Sequence, residues 1–185
     1  MRYKWKQATL SELCSKIGSG ATPRGGKESY KNAGIALIRS QNILDFSFSR
    51  DGLAFIDERQ ARQLENVSVQ KGDVLINITG DSVARACLAP ENHLPARVNQ
   101  HVAIVRAVPQ KVNSIFILYT LQYKKAHLLS LASSGGTRNA LTKRMLEELS
   151  VDLPPLEEQQ RIVATISALD DKIILNIHIN HCLAA

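Results

Sequence analysis

The segment LPPLEEQQRIVATISALDDKIILNIHINHCL, Leu153 to Leu183, decides the architecture. Its two prolines, Pro154 and Pro155, hold the residues before them out of the helical region. From Leu156 onward there is neither proline nor glycine. Ile162, Ile166, Leu169, Ile173, Asn176, Asn180 and Leu183 recur at alternating spacings of 4 and 3. That is a heptad seam on one long helix, with two asparagines in its distal half. Such a seam calls for a partner helix, and asparagines within it fix register at some cost in stability. An amphipathic helix lying on its own domain is the plainer alternative.

Ahead of this helix the periodicity is different. Short apolar runs at Ile35–Ile38, 74–78 and 102–105 read as strands, separated by turn signals such as Lys71-Gly72-Asp73 and Gly80-Asp81. The stretch DERQARQL (57–64) reads as a short helix capped by Asp57. Thr9 and Glu12 have capping-box spacing before Leu13 and Ile17, which predicts a helix closed by Gly18. Asn113 is placed to cap an almost wholly apolar helix running to about residue 131, and a shorter helix is expected over 142–149. Between these two helices lies the small-polar loop ASSGGTRNA (132–140). The reading is therefore an α/β (mixed α+β) domain over 1–152, then a long C-terminal coiled-coil helix over 153–185.

Charge divides along the same line. Residues 1–150 hold 21 Lys and Arg against 12 Asp and Glu, a balance of +9, whereas residues 151–185 hold 2 against 5, a balance of −3. A basic domain favours a polyanionic partner, nucleic acid above all. No apolar run is long enough to span a membrane, and MRYKWKQATL lacks the apolar stretch of a signal peptide. Three widely spaced cysteines, Cys14, Cys87 and Cys182, are not a disulfide framework and fit a reducing, cytoplasmic setting.

The chemistry-bearing motifs fail one by one. In GATPRGGKE (20–28) a P-loop lysine would stand where Gly26 is, and Glu28 follows the lysine that is present. Neither G-x-S-x-G nor G-x-G-x-x-G occurs. His178, His181 and Cys182 share a helical face at the chain end, too little to set against an ordinary helix surface, so no metal is expected. Pro154-Pro155 lacks the flanking polar and aromatic residues with which an amino-methyltransferase holds a flipped base. The chain reads as non-catalytic, without cofactor.

Loops rich in donors and acceptors remain: Arg24 and Lys27 about a glycine pair; Arg39, Gln41 and Asn42 after one strand; Thr79 and Ser82 after another; Asn99 and Gln100 before a third; Arg138 and Asn139 in the Gly-rich loop. Arginine matches guanine N7/O6, and asparagine or glutamine matches adenine N6/N7. Lysine, hydroxyls and backbone N–H groups near glycine hold phosphates. These eleven residues are the candidate DNA contacts. Any one cluster alone reads as a solvated loop.

At this point the sequence resembles the specificity subunit of type I restriction–modification systems. The matching stretches, in order, are Leu10-x-Glu12-Leu13, Gly18-Ser-Gly-Ala-Thr22-Pro23, Tyr30, Gly34-Ile35, Lys71-Gly72-Asp73-Val74-Leu75-Ile76 with Thr79-Gly80, and Asn99-Gln100-His101. The most specific is Leu153-Pro-Pro-Leu156-Glu157-Glu158-Gln159-x-Arg161-Ile162-Val163, continued by Leu169-Asp170-x-Lys172-Ile173. The resemblance implies a mixed α/β target recognition domain that reads half of a bipartite site in double-stranded DNA. It implies a spacer helix that pairs antiparallel and docks methyltransferase subunits and, through them, restriction subunits, where the catalysis resides.

The family's usual chain carries two such domains and two helices, and this one carries one of each. That is expected of either a fragment or a half-subunit that homodimerises through its helix. Twenty-eight helical residues span about 42 Å, close to the ~34–36 Å of one DNA turn. A protein-binding adaptor that uses the heptad helix without DNA is the alternative from another class. A detached piece of a methyltransferase is a third, and would require methyl-donor binding.

Overall fold

The computed structural model describes residues 5–133 and 139–183. β1 (Lys6–Thr9) leads into the single turn α1 (Leu10–Leu13), then β2 (Cys14–Ser19). β3 (Ile35–Ile38), β4 (Ala54–Ile56), α2 (Glu58–Gln63), β5 (Ser68–Val69), β6 (Val74–Asn77), β7 (Ala86–Leu88), β8 (Ala96–Val98) and β9 (Val102–Ala107) follow. The helices α3 (Ser114–Tyr123), α4 (Lys125–Ser133) and α5 (Lys143–Glu147) come next, and β10 (Ser150–Leu153) and α6 (Leu156–Leu183) close the chain.

The strands make two four-stranded sheets, ordered β2-β9-β6-β7 and β4-β3-β8-β5, and a two-stranded ribbon of β1 with β10. The first sheet is antiparallel throughout, while the second contains one parallel pair, β3 with β8. Alternation along β6 and β9 explains the layering. Val74 and Ile76 lie beside Val105 and Ala103 and face the helices, in a core shared with Phe116, Ile117, Leu121 and Leu128. Leu75, paired with Ile104, points the other way and joins Leu37, Ile38, Ile56 and Val98 of the second sheet. Both faces of the central strands are thus buried, which is why they read as unbroken apolar runs rather than alternating ones. Each such side chain contributes about 1.5–3 kcal/mol on burial. Cys14 and Cys87 lie in or against these cores, and burial raises both thiols to about 12.

Several expectations hold. β3 and the strand starts at Val74 and Val102 are as read. Asp57 caps α2, its Oδ1 accepting from Gln60 N at 2.8 Å. Three expectations need correction. The helix after Thr9 stops at Leu13, although Glu12 does bond back to Thr9 N at 2.7 Å. Ile17 belongs to β2, where it pairs with Val105. The long helix after Asn113 breaks at Lys124 into α3 and α4.

α6 is a single 28-residue helix. Its first turns are part of the domain rather than an appendage to it. Gln159 is fully buried; its Oε1 accepts from Asn113 N at 2.9 Å and its Nε2 donates to Pro154 O at 2.8 Å. Val163 enters the helical core with Ile162 against it. Tyr119 of α3 donates to Asp170 Oδ2 at 2.6 Å. Burial and the Asp170 carboxylate push the Tyr119 phenol above its ordinary range. Beyond Asp170 the helix projects clear of the domain, with Ile173, Ile174, Leu175, Ile177, Ile179 and Leu183 exposed. No helix among the described residues is long and apolar enough to cross a membrane.

Candidate nucleic-acid interface

Topology gathers the polar loops. β2 and β6 both run antiparallel to β9, so their ends lie beside its start. β8 runs parallel to β3 and turns through residues 99–101 into β9. The ends of β2, β3, β6 and β8 therefore share one edge of the two sheets. Backbone bonds stitch them together there. Gly20 N donates to Val102 O, Ala21 N to Val98 O and Asn99 N to Ile38 O, at 2.8, 3.0 and 3.0 Å. Residues 139–141 join the same edge, where Gly80 N donates to Asn139 O and Leu141 N to Ile78 O. Gly20 is required by closeness alone, since a Cβ there would stand 2.0 Å from Val98 O and 2.4 Å from Asn99 O.

Asn77, at the end of β6, is the side-chain staple. It is fully buried, and its Nδ2 donates to Ser40 O at 2.9 Å and Ser82 Oγ at 3.0 Å, joining two of the loops. His101 is the second staple. Its Nδ1 lies 2.7 Å from Thr79 Oγ1 and its Nε2 lies 3.2 Å from Gln100 Nε2. Neither residue was among the candidate contacts. The signal for Asn77 was an amide ending the otherwise apolar strand VLIN.

The candidate residues divide by role. Arg24, Lys27, Gln41, Gln100 and Asn139 are exposed. Arg24 and Lys27 form no ion pair among the described residues. Gln41 rests against the hairpin loop, its Nε2 3.3 Å from both Asp51 O and Gly52 O. Arg39 lies over the Tyr30 ring, 5.3 Å from its centre, and donates through Nη2 to Gly52 O. Thr79 and Ser82 are half-buried and already bonded to His101 and Asn77.

Asn99 is buried, and its Oδ1 accepts from His101 N at 3.2 Å. Asn42 requires a correction. It is fully buried, with Oδ1 accepting from Arg39 N and Nδ2 donating to Ser49 O and Asp51 O, so it shapes the loop and offers nothing outward. Arg138 lies outside the described residues.

Among the described residues, three buried side-chain polar atoms have no partner: Thr22 Oγ1, Arg39 Nε and Asn77 Oδ1. Thr22 and Arg39 sit on these loops, and Asn77 at the strand end beside them. Buried polar atoms without a partner are rare in folded proteins. The edge is a polar surface, and the candidate cations Arg24 and Lys27 are exposed. No group of three or more metal-ligating side chains occurs among the described residues.

The second surface is α6. Of the expected seam, Ile162 and Ile166 are half-buried against the domain, while Leu169, Ile173, Asn176, Asn180 and Leu183 are exposed. Ile162 and Ile166 also wall an apolar groove of about 290 Å³ with Trp5, Phe116, Tyr119 and Tyr123.

A family model described as the type I restriction modification DNA specificity domain matches residues 3–184. Over 107 residues, 57% of this chain, the sequence is 33% identical to the type I restriction enzyme MjaX specificity subunit of Methanocaldococcus jannaschii. The fold is similar to a chain solved in work on complex assembly and conformational transition of the type I R-M system, with TM-score 0.73 and 25% identity over 95% of this chain. It is also similar to the HsdS subunit from Thermoanaerobacter tengcongensis, with TM-score 0.70 and 24% identity over 95% of this chain. The chain spans 24% of the archaeal relative's length and 40% and 39% of the two solved chains.

Proposed function

Since this chain belongs to the family of type I restriction–modification DNA specificity domains, we propose that it is a sequence-specific DNA recognition unit with no catalysis of its own. The observation that carries this reading is the convergence of the polar loops, with Arg24, Lys27, Gln41, Gln100 and Asn139 exposed, on one edge of a domain balanced at +9. The domain reads half of a bipartite site in double-stranded DNA through that edge. Gln41, Gln100 and Asn139 have the amide chemistry for base edges, and Arg24 and Lys27 the charge for phosphates.

The reading extends to α6. The projecting helix docks methyltransferase subunits and pairs antiparallel with a second copy, so that a homodimer has the two domains and two helices of a complete subunit. Restriction subunits join through the methyltransferase, and the assembly works in the cytoplasm. An antiparallel pair of helices about 42 Å long sets two half-sites about one DNA turn apart. Two-fold symmetry then makes the target a divided palindrome.

The test is co-expression with the methyltransferase subunit and mapping of methylated bases by single-molecule sequencing. A divided palindrome is the expected result. A divided asymmetric motif would overturn the homodimer, because a different domain would then read the second half. Absence of methylation, together with no DNA binding by the purified chain, would overturn the recognition reading itself.

A further inference from the structure

The ring of His101 stands between two residues of the candidate interface, Thr79 at Nδ1 and Gln100 at Nε2. It has little freedom to leave. Its backbone N–H is held by Asn99 Oδ1 and its carbonyl accepts from Ile78 N at 3.0 Å. A neutral imidazole has one donor and one acceptor nitrogen. The same heavy-atom positions therefore admit two hydrogen arrangements.

With the proton on Nδ1, His101 donates to Thr79 Oγ1 and accepts from the Gln100 amide nitrogen. The Thr79 hydroxyl proton is then free to point outward as a donor, and the Gln100 oxygen is left outward as an acceptor. With the proton on Nε2 and the Gln100 amide turned over, Thr79 donates inward and its oxygen is left as an outward acceptor. Gln100 then presents its NH2 outward as a donor.

We propose that His101 is a positioning residue that couples Thr79 and Gln100, so that they meet DNA with opposite hydrogen-bonding polarity and act as one reading unit. This rests on the recognition reading above. In either arrangement the two are set together: the Thr79 hydroxyl proton is free when the Gln100 oxygen is the group turned away from the ring, and is used inward when the Gln100 NH2 is turned away. The coupling makes the second residue's preference depend on the first, which independent side chains on separate loops would not show.

Two measurements on the full chain test this. The first uses no DNA: 15N spectra of the His101 ring, which separate the two neutral forms. Thr79→Val removes the hydroxyl and Gln100→Leu removes the amide. The proton is expected to change nitrogens in at least one of these variants, and an unchanged ring in both overturns the coupling. The second is a double-mutant cycle on a 30-bp duplex carrying the mapped methylation motif, with a scrambled duplex as control. Each single substitution is expected to weaken binding about tenfold, and the double variant no more than twofold further. Losses that multiply to about a hundredfold would show two independent contacts and overturn the proposal. A wild-type chain that does not distinguish the two duplexes would overturn the recognition reading, while the ring spectra still decide the coupling. A purely structural His101 would alter stability in its variants without linking its proton to either neighbour.

Discussion

The loop edge and the distal half of α6 are both surfaces that the fold leaves exposed, but only one of them is held. At the edge, four strand ends are tied by backbone bonds, and Asn77 and His101 bridge between loops. Its outward side chains stand on a surface already set before any partner arrives, which lowers the ordering cost of binding. Among the described residues, no such bonds tie distal α6 to the domain. That half carries Ile173, Ile174, Leu175, Ile177 and Ile179 in water, with no Asp, Glu, Lys or Arg after Lys172. Exposed apolar surface is where proteins commonly meet partners. One surface is tied down by its own bonds, whereas the other leaves its apolar side chains exposed.

The sharpest way to break this contrast is to spoil the preorganised side. Gly20→Ala drives a methyl group into Val98 O and Asn99 O, both backbone atoms that cannot swing aside. A loss of about 3 kcal/mol in urea unfolding is expected, as for overpacking at a rigid site. A wild-type midpoint would mean that the edge is slack and the contrast unfounded.

The distal side responds in association rather than folding. Ile173→Asp puts a charge on an already exposed position, 57% accessible, so the unfolding of the isolated chain should move by less than about 0.5 kcal/mol. If two helices pair over this seam, the same charge is buried without a partner. Self-association measured by sedimentation should then weaken about a hundredfold, the equivalent of about 3 kcal/mol. A dimer that survives would place the contact elsewhere.

Much of this contrast was legible in the sequence, and where it was not, short range was the reason. The long apolar runs of β3, β6 and β9 announced themselves because both faces are buried. β7 and β8 did not, being three residues each and built around alanine, with Arg97 of β8 buried against Glu65. Leu13 and Ile17 have helical spacing, yet Ile17 is claimed by β9, which contributes more than one further turn of helix would. The candidate loops were visible as polar clusters, but their meeting at one edge depends on strand order, which no local pattern carries. Asn42 and Gln41 are adjacent amides of similar chemistry, and only the fold buries one and exposes the other.

The junction between the anchored and projecting halves of α6 is the Tyr119–Asp170 bond. Tyr119→Phe keeps the ring packing and removes only the hydroxyl. About 1 kcal/mol of stability should be lost for a partly exposed bond to a carboxylate. Hydrogen exchange should rise in the turn around Asp170 and stay unchanged around Gln159. Uniform exchange along the helix would show that the boundary lies elsewhere.

The smallest effect expected is the most discriminating for the loop edge. Lys27 is exposed and unpaired among the described residues, so Lys27→Ala should leave unfolding within about 0.5 kcal/mol of wild type. If the edge meets phosphates, about six neutralised charges give a slope near −5 in log affinity against log salt. Removing one phosphate contact should reduce that slope by about 1, equally on specific and scrambled duplexes. Gln41→Ala, by contrast, should leave the slope alone and narrow the gap between the two duplexes if it reads a base. A slope unmoved by Lys27→Ala takes that lysine out of the interface. A gap between the two duplexes that Gln41→Ala leaves unchanged, with the slope still reduced by Lys27→Ala, would mean that the edge attracts DNA by charge without Gln41 reading it.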